Sequence, residues 1–332
     1  MSQWWRSLGH EVAVFDDRFG DYDVALFGKS TSEAELRAAR AENPALIVGM
    51  IHPCDFEDKR GKIAACDFLL VGSLLEQDRY RRFCNHVFLL PQIETLFQKR
   101  KQHRDGHSIV IGYHGNRDHL DHISDELVEA LEQLATEYPI VLRAVYDHGK
   151  LGLWERHRPR IEIEDVQWSL DTIESQLVEC DIGLCPGLTE IPRRDRGVFF
   201  RWLRTRRPSA VTYENDFLIR FKNTTNAGRA FVFHQLGVPV ISDIPPSSFH
   251  ILGHPDCGYL AHSKEGWLHA FRQLCASAEH RTFIAENARR EFDRLYDPLA
   301  WAERLHGEIR ALFLAGNGHI VPPNEKTTMR PI

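Results

Sequence analysis

The chain lacks several things that would place it quickly. No apolar run approaches the roughly 20 residues a membrane-spanning helix needs. The start, MSQWWRSLGHEVAVF, has no apolar stretch behind a basic one, so no secretory leader is expected there. Its seven cysteines (Cys54, Cys66, Cys84, Cys180, Cys185, Cys257 and Cys275) contain no C-x-x-C pair and are odd in number. That excludes a zinc ribbon or a disulfide frame and points to buried thiols in a reducing cytoplasm. Positive charge is not in excess: 41 Lys and Arg face 47 Asp and Glu, for a net charge of −6 and a pI near 6.3. A nucleic-acid partner is therefore not expected. Phe27-Gly28-Lys29-Ser30 ends like a P-loop, but Asp23 stands where the first glycine is required. No G-x-S-x-G occurs, nor a Ser-His-Asp or Cys-His constellation.

What is present is a globular composition with strand–helix alternation. The 332 residues are 43% hydrophobic and 27% charged, enough for two domains with full cores. Glu11–Phe15, Asp23–Phe27, Ala45–Met50, Asp67–Val71 and Val87–Leu90 read as strands. Ser32–Glu42 reads as a helix capped by Ser30 or Ser32. Gln98–His107 is polar and charged and reads as a linker. A second alternation then begins. Strands are expected at Ser108–Tyr113, Ile140–Val145, Ile182–Cys185, Val238–Ser242 and Gly258–Ala261. Helices are expected at Ile123–Tyr138, Leu170–Val178, Ala227–Gln235, Glu265–Ala276, Glu279–Tyr296 and Pro298–Leu314. The alternation implies mostly parallel sheets. The end, from Ala315, is rich in turn formers and is expected to be disordered.

Four places carry chemistry or binding. The stretch Arg220–Asp243 places Lys222 just before a helix and Arg229 on its first turns. A helix N-terminus with two cations suits an anion such as a diphosphate; the plainer reading is an amphipathic helix with solvated cations. Gly112-Tyr113-His114-Gly115-Asn116 closes a strand and opens a helix, and Gly115 allows close approach of a phosphate. The nearby His114, His119, His122, Asp118 and Asp121 read as caps and surface groups, and no metal is expected. His52-Pro53-Cys54-Asp55 follows a buried strand, at the end where α/β sheets bind ligands. There His52 is either a packed side chain with Asp55 as a cap, or a group that bonds a substrate hydroxyl or acts as a base. Glu94, Glu126, Glu129 and Glu132 read as solvated carboxylates. Arg193, Arg194, Arg196, Arg201, Arg204, Arg206 and Arg207, interleaved with Phe199, Phe200 and Trp202, form a basic stretch. It suits an anionic lipid surface or a phosphate-bearing partner, or else pairs with acids elsewhere.

Taken together and in order, these pieces resemble GT-B glycosyltransferases, in particular the retaining family 4-like group (glycosyl transferases group 1). The resemblance spans about residues 4–314. LGHEVAVFD, DYDVALFGKS, IVGMIHPCD, CDFLLVGS and VFLLPQIE follow the order of an acceptor-side domain. IGYHGNRDHLDH, then Trp168, Leu177 and CDIGLCP, then FKNTTNAGRAFVFHQLGVPVISD, CGYLAHSKEGWLHAFRQL and RTFIAENARREFDRLYDPLAWAERL follow that of a donor domain. Each motif is loose; their joint order and spacing are specific.

The resemblance implies an α/β, GT-B fold of two Rossmann-like domains facing a cleft. Residues 1–97 form the acceptor-side domain, 98–107 the linker, 108–297 the nucleotide-sugar domain, 298–314 a helix crossing back to the first domain, and 315–332 the tail. It implies a UDP- or GDP-linked sugar donor as co-substrate, with no further cofactor and no metal, and a hydroxyl acceptor. Lys222 and Arg229 would hold the diphosphate, with Gly115, Asn116 and Asn223 beside it and Glu190 near the nucleotide. His52 would face the donor sugar. Three departures stand out, one of them the unusually basic insertion between Pro186 and Phe221. The group's E-x7-E element is absent ahead of and along the Arg229 helix, which opens the alternative of an inactive nucleotide-sugar-binding protein. A nucleotide-sugar epimerase is a further alternative, with no acid cluster behind it. The group's first strand is also missing, so either the start lies inside the natural reading frame or the first sheet is rearranged.

Overall fold

The computed structural model describes residues 2–14, 16–53, 60–93, 97–106, 108–186, 188–190, 219–221 and 227–315. The first half builds a four-stranded parallel sheet, β1 (Val24–Phe27), β2 (Ile47–Ile51), β3 (Phe68–Val71) and β4 (Val87–Leu89), in that spatial order. The connecting helices are α2 (Glu33–Glu42), α3 (Arg60–Ala64) and α4 (Leu74–Tyr80), preceded by α1 (Ser2–Ser7). Helix α2 starts where its sequence directs. Ser32 accepts from the Glu35 N–H, and Glu35 accepts from the Ser32 N–H, a reciprocal cap. β2 and β3 are continuous apolar runs because helices cover both faces of the sheet. One face meets Leu36 and Ala39 of α2.

The second half is a six-stranded parallel sheet in the order β12-β11-β8-β5-β6-β7. Its strands are β5 (Ile109–His114), β6 (Ile140–Tyr146), β7 (Glu162–Gln167), β8 (Ile182–Cys185), β11 (Val240–Ser242) and β12 (Tyr259–Leu260). Short strands β9 (Leu188–Glu190) and β10 (Ile219–Phe221) pair antiparallel outside it. The helices of this half are α5 (Arg117–Leu120), α6 (Asp125–Leu134), α7 (His148–Leu151), α8 (Ile173–Val178), α9 (Gly228–Leu236), α10 (Phe249–Leu252), α11 (Lys264–Ala276) and α12 (Ala278–Leu295). α6 and α11 lie together on one face, where Leu131, Leu134, Trp267 and Phe271 share a core with Ile111 and Leu142. α9 is buried nearly all round, which accounts for its run of apolar residues.

The polar segment 98–106 is strapped to the second half. Its Lys101 N–H donates to the Leu236 carbonyl (2.8 Å), and Lys101 Nζ lies 3.0 Å from the fully buried Asp181. The last helix, α13 (Pro298–Ala315), returns to the first sheet, where Leu305, Ile309 and Leu312 pack with Ile47, Phe68 and Leu70. One expected strand, Glu11–Phe15, is not formed among its described residues. Residues 11–14 are irregular; no neighbouring strand supplies them a ladder, and Val14 is 57% exposed. Apolar alternation there was not matched by a buried face, and the first strand of the sheet is Val24–Phe27.

Candidate active site at the carboxyl edges of the sheets

The order of the six-stranded sheet locates a crevice by itself. From β5 the chain steps outward to β6 and β7, then returns to the other side of β5 to form β8, β11 and β12. Connections therefore diverge between the carboxyl ends of β5 and β8, which is where open α/β sheets take ligands. β5 ends there with His114, followed by Gly115 and Asn116. Gly115 has φ 140°, and a Cβ on it would stand 3.1 Å from the Tyr113 hydroxyl and 3.2 Å from Arg229 Cδ. Only glycine suits that backbone and that gap. Asn116 caps α5, its side-chain oxygen accepting from the Asp118 N–H at 3.0 Å. The Tyr113 hydroxyl donates to the Asn116 carbonyl at 2.7 Å, and burial pushes its pKa up to about 12.

α9 aims at the same crevice. A Cβ on Gly183 of β8 would lie 2.5 Å from the Phe233 ring, so glycine there lets α9 settle tightly on the sheet. Arg229, in the first turn, sets its guanidinium 5.6 Å from the Tyr113 ring centre. Its Nη1 is buried and has no hydrogen-bond partner among the described residues. Leaving such a donor unsatisfied costs about 1–3 kcal/mol, more for a charged group. His114 Nε2 donates to the Arg229 carbonyl at 3.2 Å. Burial draws the His114 pKa down to about 4, so it is neutral at pH 7. At the end of β8, burial pushes the Cys185 thiol up to about 12, which removes it as a nucleophile.

The first sheet supplies an opposing set of groups. His52 follows β2 with φ 48°, the left-handed region, and its N–H donates to the Leu70 carbonyl at 2.8 Å. Its Nε2 lies 3.2 Å from the side-chain nitrogen of Gln92, which follows β4. Burial lowers the His52 pKa, and the charge of Lys29, two residues beyond β1, lowers it further. After β3, the buried Glu76 carboxylate accepts from the Gly72 N–H at 2.8 Å, and burial raises its pKa. The two edges meet among the described residues. Ile93, next to Gln92, packs against the cluster that contains Ala227, just before α9, and Phe231 of α9. α4 also touches the 3-10 turn Pro246–Ser248 that follows β11.

Of the sequence-predicted site residues, the structure thus places His52, Gly115, Asn116 and Arg229 at sheet carboxyl edges. Lys222 and Asn223 lie outside the described residues, as do Asp55, Glu94, the Arg193–Arg207 stretch and the tail from residue 316. Glu190 ends β9, opposite Ile219. The His122 ring bonds the Asp118 carbonyl and Asp121 pairs with Arg117, so these groups are engaged locally. Among the described residues no cluster of His, Cys, Asp or Glu suits a metal, and no helix is long and apolar enough to cross a membrane. Two residues that sequence reasoning missed are Gln92 and Tyr113. Tyr113 sits inside a quoted motif; Gln92 carries no local signal.

Comparison with known proteins adds the fold. No family model and no curated protein matches the sequence. Among solved structures, sucrose-phosphate synthase from Thermosynechococcus elongatus is similar over 89% of this chain and 75% of its own, with a TM-score of 0.61 at 14% identity. Anabaena HepE, in complex with UDP and glucose, is similar over 88% and 79%, with a TM-score of 0.56 at 10% identity. WaaG, a glycosyltransferase involved in lipopolysaccharide biosynthesis, is similar over 87% and 85%, with a TM-score of 0.53 at 13% identity. The chain has the GT-B fold: two Rossmann-like domains facing a cleft, with the last helix crossing back.

Proposed function

We propose that the protein is a glycosyltransferase that moves a sugar from a UDP- or GDP-linked donor to a hydroxyl acceptor, in polysaccharide or glycoconjugate assembly. The observation that carries this is the buried Nη1 of Arg229, which has no hydrogen-bond partner among the described residues, beside the switch-point crevice. A charged donor held there without a partner is suited to an anion brought by a ligand. Arg229 and the preceding Lys222 stabilise the diphosphate as its bond to the anomeric carbon breaks, and the positive end of α9 adds to this. The Gly115 turn lets the phosphates approach the backbone. His52 orients the sugar from the opposite wall. In this reading cations replace a metal, and with no general base assigned the transfer retains anomeric configuration.

Support also comes from HepE, a protein of similar fold whose structure holds UDP and glucose. The absent E-x7-E element favours a second reading, a nucleotide-sugar-binding protein without turnover. A thermal-shift screen across UDP- and GDP-sugars, followed by a donor-turnover assay, separates the two. Binding with product whose anomeric configuration matches the donor supports the first reading; tight binding without turnover of any donor supports the second. We further propose a cytoplasmic protein whose Arg193–Arg207 stretch meets a phosphate-bearing acceptor or an anionic membrane surface. Co-sedimentation with anionic vesicles at low and high salt checks this, and binding indifferent to both lipid charge and salt contradicts it.

A further inference from the structure

We propose that Gln92 is the positioning residue that holds His52 as its Nδ1–H tautomer, leaving that N–H to donate to a hydroxyl of the bound sugar. The inference rests on the transferase reading for the identity of the ligand, but its structural half stands alone. The side-chain nitrogen of Gln92 carries only hydrogens and cannot accept. It lies 3.2 Å from His52 Nε2, so Nε2 is the acceptor of that bond. A neutral imidazole has one protonated and one bare nitrogen, and the proton is therefore on Nδ1. His52 stays neutral at pH 7 because burial and the Lys29 charge both disfavour the imidazolium. Among the described residues the His52 ring makes its hydrogen bond through Nε2, to Gln92.

Two further features single this pair out. His52 is held at φ 48°, a conformation that costs an ordinary residue about 1–2 kcal/mol and is kept where surrounding structure enforces it. Its backbone is enforced by the bond to Leu70, and the next residue by Tyr80, whose hydroxyl donates to the Pro53 carbonyl at 2.5 Å. Gln92 is held in turn by its neighbour Ile93, which packs into the core shared with α9. His114 gives the contrast within the same molecule. Its Nε2 faces a carbonyl, which only accepts, so His114 is the opposite, Nε2–H tautomer.

The test is ring-nitrogen NMR on the full chain with labelled histidine at neutral pH, with His52 and His114 assigned by loss of signal in His52→Ala and His114→Ala. The expected result is a bare Nε2 and protonated Nδ1 for His52, with the reverse pattern for His114. Gln92→Glu offers Nε2 only an acceptor and should invert the His52 pattern. Gln92→Met, which keeps the shape without the donor, should shift the His52 population toward Nε2–H. In both variants an unchanged His114 signal reports an intact fold. With the best donor, kcat should fall about tenfold in Gln92→Glu with donor KM changed far less, the mark of an interaction made mainly in the transition state. A wild-type His52 protonated on Nε2, or a pattern unmoved by Gln92→Glu, overturns the assignment. An inverted tautomer with unchanged kcat overturns the functional half. A protein that turns over no donor yet shows the expected tautomers removes the transferase reading and leaves the hold of Gln92 on His52 standing.

Discussion

The two halves each end a buried parallel strand with a histidine, and the two histidines do different work. His114 is pinned to the Arg229 carbonyl within the helix-to-sheet contact and helps set the helix that carries the guanidinium. His52 is strained in its backbone and bonded through one ring nitrogen to Gln92. Burial depresses both pKa values, so a shifted titration alone does not tell the two apart. What separates them is the partner set. One side chain bonds main chain, which cannot change roles; the other bonds a side chain that leaves a donor to spare. The same contrast holds for the walls they belong to. The six-stranded sheet presents a guanidinium with one nitrogen unbonded among the described residues, fit for an anion. The four-stranded sheet presents the half-buried His52–Gln92 pair, fit for hydroxyls.

The comparison can be broken most forcefully on the cationic wall. Arg229→Ala should lower turnover of the best donor about a hundredfold, in line with removal of one preorganised donor from a developing charge. Steady-state kinetics check it, and a loss under threefold would take Arg229 out of the site. Gly115→Val should come next. It forces a β-branched residue to φ 140° and into the Tyr113–Arg229 contact, so turnover should drop about tenfold and stability by about 1–3 kcal/mol. Urea unfolding beside the kinetics shows whether both fall.

The histidines should then separate by stability against function. His114→Ala removes a partly buried, hydrogen-bonded group and should cost about 2 kcal/mol of unfolding free energy. His52→Gly relieves a left-handed backbone worth about 1–2 kcal/mol, so its melting temperature should hold or rise while activity is lost. Equal destabilisation by both would erase the distinction drawn here.

The mildest effect is on acid stability. The folded-state pKa values of His114 (about 4) and His234 (about 3) lie below the ordinary 6.5, so the unfolded chain binds more protons in between. Their contribution is complete above 6.5. It is lost as pH falls toward about 4 for His114 and about 3 for His234. Urea unfolding across that window should show His234→Leu flattening part of the slope; an unchanged slope contradicts the assignment.

Much of this was legible in the sequence, and the limits have physical causes. Ile47–Ile51 and Phe68–Val71 are continuous apolar runs, and Ser32 with Glu35 writes its own cap, so those elements were readable locally. Glu11–Phe15 alternates just as well, yet alternation specifies a strand only when a neighbour offers a ladder and a core. Gly115 and Arg229 were readable because a turn and a helix start impose requirements on nearby sequence. The strap at 98–106 was not, since Lys101 finds Asp181 and the Leu236 carbonyl from distant segments. Gln92 was invisible for the same reason: it meets His52 across 40 residues, through the pairing of β2, β3 and β4.

The central claim is that Arg229 awaits the diphosphate of a nucleotide. Calorimetric titration of the full chain with UDP and with GDP tests it most directly, set beside the Arg229→Ala and His52→Ala variants. The account predicts saturable binding of at least one of the two, weakened about tenfold or more, or about 1.4 kcal/mol, by Arg229→Ala and little changed by His52→Ala. Binding of equal strength in wild type and Arg229→Ala, or no binding of either nucleotide, would contradict it.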